Sequence, residues 1–385
     1  MAFSFGFSGD DIDMDDSEVN NDFSDVPSQQ TVGNPLPELV QANKHYMNEW
    51  LSILPSQISF NKLAVRNLTV ARREIFDIRT QLMAEDSAGH DNEELIAGIE
   101  KGDIKPNFYE GGFKTWECAL DLAKLALNEN TLGDPSDGPA DIHIIEVSQP
   151  SNSHITCHRS THIKLQLGAG TAVPTLTLFA RLLQGETGQS QKNITLTFAD
   201  YNSDVLRLVT LPNLLLTWHN SRSQPAISPS STAPSQEEEE LDITPELVEE
   251  FKTDLAKRGI SVEFISGAWS PEFVDLVFSS GEGSSRKTLV LASETIYSPA
   301  SLTAFSETLL ALLRRSSNAS TQSRALVAAK KVYFGVGGGV DEFLAVLKNV
   351  CADELDVQQK LNVQSEGVGR VVLEVVPAAQ SWTKS

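Results

Sequence analysis

Three cysteines in 385 residues, Cys118, Cys157 and Cys351, are too few and too scattered for a disulfide framework, so they read as thiols of a reducing compartment. Long apolar runs are missing as well. No uninterrupted stretch approaches the roughly 18 residues needed to span a bilayer, and the acidic N-terminus lacks the basic start of a secretory signal. A membrane is therefore not an expected partner, and a cytoplasmic or nuclear location is expected. Basic residues are scarce: 30 Lys and Arg stand against 52 Asp and Glu, a formal net charge of −22. Phosphate backbones attract basic surfaces, so this balance speaks against direct nucleic-acid binding and for a basic partner, which it would steer. There is no G-x-S-x-G elbow and no H-E-x-x-H metal motif, and the triple glycine Gly337 to Gly339 lacks the Lys and Ser/Thr of a P-loop. Hydrolase chemistry has no positive sign here.

What is present has a rhythm. Strand-like patterns fall at 141–146, 194–200, 260–266, 288–294, 325–334 and 370–376, and helical patterns at 172–184, 203–217, 244–258, 300–315 and 340–350 separate most of them. Alternation of this kind predicts an α/β fold, a mostly parallel sheet with helices on both faces, whose ligands gather at the carboxyl ends of the strands. Another helix is expected from Trp116 to Leu127 in "YEGGFKTWECALDLAKLAL". Residues 1–35 hold Asp10, Asp11, Asp13, Asp15, Asp16, Glu18, Asp22 and Asp25 without any Lys or Arg, which predicts a disordered acidic tail. Its "FSFGF" start alternates Phe3, Phe5 and Phe7 as a short strand or docking peptide would. Residues 36–105 read as a mixed N-terminal extension, 106–380 as the main domain, and the Ser/Pro-rich stretch 221–241 as a disordered loop that ends in the acidic run Glu237 to Glu240.

The strand ends carry the candidate chemistry. After the first strand comes "LGAGTAVPT", where Gly168 and Gly170 allow a tight turn and close approach of a ligand, although Val173 and Pro174 break the dinucleotide fingerprint. The second ends in "ADYN": Asp200 either accepts both hydroxyls of a ribose or caps the following helix. The third leads into "GAWS", where Trp269 either meets an adenine face or belongs to the core. The fourth gives "SETIY", in which Glu294 and Tyr297 either orient a nucleophilic nitrogen or serve the structure.

Three of the seven histidines, His154, His158 and His162, crowd with Cys157 between the first strand and the glycine turn. Their types and spacings admit a zinc-binding insertion.

Together the strings "YEGGFKTWECALDL", "LGAGTAVPTL", "ADYNSDVLRLVTLPNLLL", "SGAWS", "LASETIYSP" and "KVYFGVGGGVDEF" resemble, in the same order, the seven-strand S-adenosylmethionine-dependent methyltransferases. Within that group they resemble the histidine protein methyltransferase branch of fungi and animals. The likeness extends over roughly residues 100–377, and the "FSFGF" start is similar to fungal members. It implies a Rossmann-like seven-strand sheet, S-adenosylmethionine as cofactor, and methyl transfer to the distal ring nitrogen of a histidine in a basic large-subunit ribosomal protein. It also implies cofactor contacts at Thr115, Trp116, Glu117, Cys118, Ala119, Glu146, Gly168, Gly170, Asp200, Tyr201, Asn202, Gly267, Ala268, Trp269 and Ser293, with Glu294 and Tyr297 on the substrate side. No metal is implied, and a monomer is expected. Imidazole, with a pKa near about 6.5, is mostly neutral at cytoplasmic pH, so placement matters more than activation. The alternatives are a non-catalytic ribosomal-protein binder or chaperone on the same fold, and a protein-lysine methyltransferase.

The chain departs from the family pattern at one point. There an acid directly precedes the glycine turn; here Gln166 precedes Leu167, and the acid Glu146 stands twenty residues earlier. Removing residues 147–166 joins "DIHIIE" to "LGAGTAVPT", and the segment's Val-Ser start and Gln end fit the borders of a short intron. The segment therefore reads as a retained intron or gene-model error, against a zinc insertion or a disordered loop. If it is present, cofactor binding is expected to collapse unless the segment bulges out and Gln166 takes the acid's place.

Overall fold

The computed structural model describes residues 40–87, 95–96, 99, 112–129, 141–147, 170–185, 193–223, 238–280, 286–317, 323–334, 337–364 and 367–378. The acidic tail with "FSFGF", Gly168, residues 148–166 with their histidines, Cys157 and Gln166, and residues 224–237 lie outside them.

The main sheet follows the order β1-β7-β5-β4-β8-β9-β11-β10. Its centre is parallel: β4 (Asp141–Val147) pairs with β5 (Ile194–Asp200) on one side and β8 (Arg286–Ser293) on the other, with β7 (Ile260–Ser266) and β9 (Ser323–Lys330) outside them. The antiparallel strands β11 (Arg370–Pro377) and β10 (Leu355–Val363) close one edge, and the short β1 (Asn43–His45) closes the other. This is a Rossmann-like sheet with helices on both faces.

The strands are apolar on both faces for a reason the packing makes plain. Along β4, Ile144 enters the core shared with the helices at Glu117–Asn128 (α3), Val173–Leu183 (α4) and Pro245–Lys257 (α6), whereas its neighbour Ile145 enters the opposite core. That second core holds the helices Pro271–Val277 (α7), Leu302–Ser316 (α8) and Val340–Cys351 (α9). A strand covered on both sides loses the apolar-polar alternation of a half-exposed one and becomes a continuous run.

The described part of the N-terminal extension contains both strands and helices. Short helices at Met47–Leu51 (α1) and Ile75–Ser87 (α2) frame a hairpin of β2 (Gln57–Val65) and β3 (Leu68–Arg73). The acidic run contributes the third strand of this second sheet: β6 (Glu239–Asp242) pairs with β2, which corrects the expected loop over 221–241 at its end. Its start is corrected too, because the expected helix over 203–217 continues to Ser223 as Ser203–Val205, a π-helical turn Leu206–Thr210, and Leu211–Ser223, here together α5. Charged side chains on β6 find partners in β2, as Lys62 pairs with Glu239.

Candidate active site

From β4 the chain proceeds to β5 on one side, while β8 lies on the other, so the carboxyl ends of β4 and β8 flank a topological switch point. Crevices for ligands open at such points. Three carboxylates stand at the strand ends of this region: Glu146 on β4, Asp200 on β5 and Glu294 just after β8.

Glu146 is buried, and its Oε2 accepts the Thr175 backbone N–H at 3.0 Å, in the first turn of α4. A helix start offers unpaired N–H groups and positive potential, which suits a carboxylate there. Burial nonetheless dominates and pushes the Glu146 carboxyl up to about 7. The contact holds even though 29 positions separate the two residues, so the acid remains at the helix start with the intervening segment in the chain.

The turn that enters α4 is shaped by left-handed backbone at Gly170 (φ 56°) and at Ala172 (φ 53°), the latter an uncommon conformation for a residue with a Cβ. Neighbours hold it in place. Thr210, in the π-helical turn, donates to Gly170 O at 2.8 Å, and Asn213 Nδ2 donates to Thr171 O at 3.2 Å. Asn213 Oδ1 in turn accepts the Arg73 N–H from β3 at 2.7 Å. Arg72 Nη1 donates to Thr115 Oγ1 at 2.9 Å, and that hydroxyl donates to Thr171 Oγ1 at 2.9 Å. The hairpin thus braces both the glycine turn and the entry to α3.

Asp200 is buried, with Oδ2 accepting the Gly170 N–H at 3.3 Å and Oδ1 the Asn202 N–H at 2.9 Å. A buried carboxylate at a strand end is the type of acceptor that ribose hydroxyls take. The helix cap is a different residue: Asn202 Oδ1 accepts the Asp204 N–H at 2.9 Å, which assigns capping to Asn202 rather than Asp200. Tyr201 between them is half-buried, and burial raises its phenol.

The "GAWS" segment departs from expectation. Gly267 is left-handed (φ 110°), and a Cβ there would lie 2.4 Å from Gln41 O, so only glycine lets the N-terminal strand press so close. The Ala268 N–H donates to Val40 O at 2.9 Å and is therefore already used. Trp269 is buried, its ring centroid 4.9 Å from that of Phe305 in the core beneath α8. Of the two readings of Trp269, the described packing shows the core one, its ring against Phe305.

Across the switch point, Glu294 follows the half-buried Ser293 and is itself buried in left-handed backbone (φ 56°), its N–H on Ala328 O at 2.9 Å. Its Oε2 accepts the Tyr333 hydroxyl at 2.5 Å, and Lys330 Nζ stands 3.9 Å from Oε1. Lys330 also pairs with the exposed Glu117 at 3.2 Å and lies over the Trp116 ring, 5.0 Å from its centroid. Cys118 is buried beside Glu294; burial first, then the charge of this carboxylate and a thiol hydrogen bond to it, push the thiol far up, so it stays protonated. Tyr297 is buried edge-on to Tyr333 at 6.1 Å, and Ala119 packs in the first turn of α3. Two buried polar atoms in this group have no hydrogen-bond partner among the described residues: Glu294 Oε1 and Trp116 Nε1. Among those residues no group of His, Cys, Asp and Glu could hold a metal ion.

The structure therefore gathers Trp116, Glu117, Cys118, Glu294 and Tyr297 at one side of the switch point and Thr115, Glu146, Gly170, Asp200, Tyr201 and Asn202 at the other. The sequence reading passed over Tyr333, Lys330, Arg72, Thr171, Thr210 and Asn213. Tyr333 was visible in "KVYFGVGGGVDEF", but the glycines drew the reading there. Arg72 belongs to the extension, where no periodic pattern marked a strand.

These residues fit S-adenosylmethionine on the structure's own terms. Asp200 offers acceptors beside a left-handed glycine turn at a strand end, and the buried carboxyl of Glu146 stands next to that turn, in an arrangement suited to a hydroxyl-bearing, positively charged ligand.

Histidine protein methyltransferase 1 of Schizosaccharomyces pombe is 34% identical over 97% of this chain and 92% of its own. The protein of the same name in Saccharomyces cerevisiae is 31% identical over 97% and 98%. A solved structure, TrmN from Thermus thermophilus, is 12% identical with a TM-score of 0.30 and covers 68% of this chain and 48% of that one. No family model matches. Agreement with the two yeast proteins along nearly the whole length, on a Rossmann-like sheet with an acid at each central strand end, shows that the chain belongs to the histidine protein methyltransferase 1 family and is a methyltransferase.

Proposed function

We propose that this protein transfers a methyl group from S-adenosylmethionine to a ring nitrogen of histidine in a basic large-subunit ribosomal protein, acting as a monomer in the cytoplasm and nucleus. One observation carries the reading: Glu294, beside the switch point, is a buried carboxylate that keeps Oε1 without a hydrogen-bond partner. Buried acceptors are rarely left unfilled, and the N–H of a neutral imidazole is a fitting complement. The names of the related proteins point to the same acceptor.

A bound cofactor would supply an electrophilic methyl group carried on its sulfonium sulfur, which would keep the electron pair of the C–S bond and leave as the neutral thioether. The rest falls to the chain. Asp200 and the Gly170 turn hold the donor side. Glu294 accepts the proximal N–H of the incoming ring, which leaves the distal nitrogen unprotonated and nucleophilic. As that nitrogen becomes alkylated the ring acquires positive charge, which the Glu294 carboxylate stabilises, and Glu294 can take the proton that restores a neutral ring. The net charge of −22 would steer a basic protein toward this site.

The test is incubation with radiolabelled S-adenosylmethionine and purified large-subunit ribosomal proteins, followed by mass spectrometry of the labelled peptide. Label on one histidine of one basic protein is expected. Label on lysine would replace this reading with the lysine one, and binding of the ribosomal protein without transfer would favour a chaperone.

A further inference from the structure

Glu294 is held by groups that no strand-end motif contains, and the tightest of these is Tyr333. We infer that Tyr333 is a positioning residue of the transfer site: its hydroxyl fixes the Glu294 carboxylate so that Oε1 receives the proximal N–H of the acceptor ring and methylation is confined to the distal nitrogen. This rests on the histidine reading above and extends it from the acceptor residue to the acceptor atom.

The geometry leaves the Tyr333 hydroxyl little freedom. It accepts the Lys330 backbone N–H at 3.1 Å, and it lies 2.5 Å from Glu294 Oε2. With an oxygen lone pair occupied by that amide, its proton goes to the carboxylate, a charge-assisted bond of the short and strong kind. Burial, then the neighbouring Glu294 and Cys118, hold the phenol well above its ordinary range, so it remains a donor. Oε2 is thereby occupied, and Oε1, with the Cys118 thiol and the Lys330 ammonium beside it but no N–H or O–H donor within hydrogen-bond distance, is the oxygen that can receive one.

The backbone on both sides fixes this contact. Tyr333 N–H donates to Gly338 O at 3.1 Å, and Gly337 N–H returns to Tyr333 O at 3.2 Å, closing a small loop. A Cβ on Gly338 would lie 2.1 Å from Tyr297 O, so the loop is seated directly on the backbone of the "SETIY" turn that carries Glu294. Glu294 itself is in the left-handed conformation, which persists only where the surroundings determine it. The charged and titratable groups facing the pair come from three elements. They are Glu117 and Cys118 of α3, with Asp121 bound to Arg370 behind them, Lys330 at the end of β9, and Tyr297 of the turn after β8. Lys330 balances Glu294 in charge, but at 3.9 Å it does not set the direction of Oε1.

Position and regiochemistry make this testable apart from stability. Tyr333→Phe removes the hydroxyl and keeps the ring. The expected result is S-adenosylhomocysteine affinity within about threefold of the parent, kcat lower by about tenfold, as for loss of one hydrogen bond to a charged group, and KM for the substrate protein little changed. Hydrolysis of the product should then contain the proximal-nitrogen isomer of methylhistidine beside the distal one. In a Glu294→Gln background the same substitution should add less than about twofold, because both act through one contact. In protein labelled with ¹³C-tyrosine, the Cζ resonance identified by its loss in Y333F should move in E294Q, without any substrate present. If Y333F proves unstable, the same resonance is assigned by elimination, from the losses in single Phe variants of the other four tyrosines. An unchanged kcat with a single isomer, multiplicative losses in the double variant, or a Tyr333 resonance indifferent to E294Q would each overturn the positioning role alone. Absence of histidine methylation by the parent enzyme would overturn the histidine reading, and this role with it, while the resonance still shows whether the two side chains touch.

Discussion

The two halves of the site hold their carboxylates by different means. On the β4–β5 side, Glu146 and Asp200 are fixed by backbone N–H groups: Thr175 in the first turn of α4, Gly170 in the turn before it, and Asn202 just after β5. On the β8–β9 side, Glu294 is fixed by side chains from elsewhere in the chain: Tyr333 and Lys330 from the end of β9, with Cys118 of α3 beside it. Backbone donors are part of the fold and cannot be substituted away one by one. Side-chain donors can be, and so this half is where chemistry and specificity can be adjusted without dismantling the sheet.

The largest effect expected from that contrast is catalytic. Glu294→Gln should lower kcat by roughly 10³ while leaving S-adenosylhomocysteine binding within about threefold, read by calorimetry alongside a methyl-transfer assay. Equal losses in binding and turnover would erase the division into halves. Asp200→Ala should do the reverse and weaken S-adenosylhomocysteine by roughly 10², the loss of hydrogen bonds to a charged acceptor. Unchanged affinity would remove Asp200 from the cofactor side.

A third test concerns stability and pH along β4, where two buried groups oppose each other. Burial pushes Glu146 up to about 7, so the folded state binds a proton that the unfolded chain, at about 4.3, has released. Its contribution is present below that pH and is lost as pH rises toward 7. His143, three positions earlier and bonded to Thr197 at 2.9 Å, is pushed by burial down to about 3 against an unfolded value of about 6.5. Its contribution is present above 6.5 and is lost as pH falls. Between about pH 4.3 and 6.5 the two slopes, each about 1.4 kcal/mol per pH unit, cancel. Glu146→Gln should therefore unmask a stability that rises with pH over this window, and His143→Gln one that falls. Denaturant midpoints in both variants lying parallel to the parent across the window would refute the assignment.

The smallest effect is expected from the segment between β4 and the glycine turn. Glu146 meets α4 with the segment in the chain, so protein lacking residues 147–166 should bind S-adenosylhomocysteine within about threefold of the chain as given. Binding confined to the shortened form would mean that only the spliced chain completes the site, as the intron reading requires.

Much of the scaffold was legible because its signals are local. The strands at 194–200 and 260–266 coincide with β5 and β7, and the expected helices fall within a residue or two of α4, α6, α8 and α9. Apolar period and strand-end punctuation mark such elements without knowledge of their neighbours. The hairpin β2–β3 was not visible, because one of its faces is covered by α5 and the other is only partly exposed, so no clean alternation survives. The strand β6 was hidden by its acids: Glu239 and Glu240 read as a solvated run, yet they pair with Phe60 and Ser59. The role of Trp269 was not legible for a related reason, since an aromatic after a strand has the same appearance whether it faces a ligand or Phe305.

By itself, then, the sequence determined the α/β rhythm, the crevice at the strand ends and the acids that stand there, because each depends on residues close together in the chain. Tertiary structure alone decided what those acids touch. Tyr333 lies 39 positions from Glu294, and Arg72 lies 43 from Thr115, and contacts over such separations are set by how the sheet and its covering helices pack. Packing also placed Glu146 at the start of α4 across the intervening residues, because burial and the unpaired N–H groups of a helix start favour the same arrangement whatever length of chain connects them.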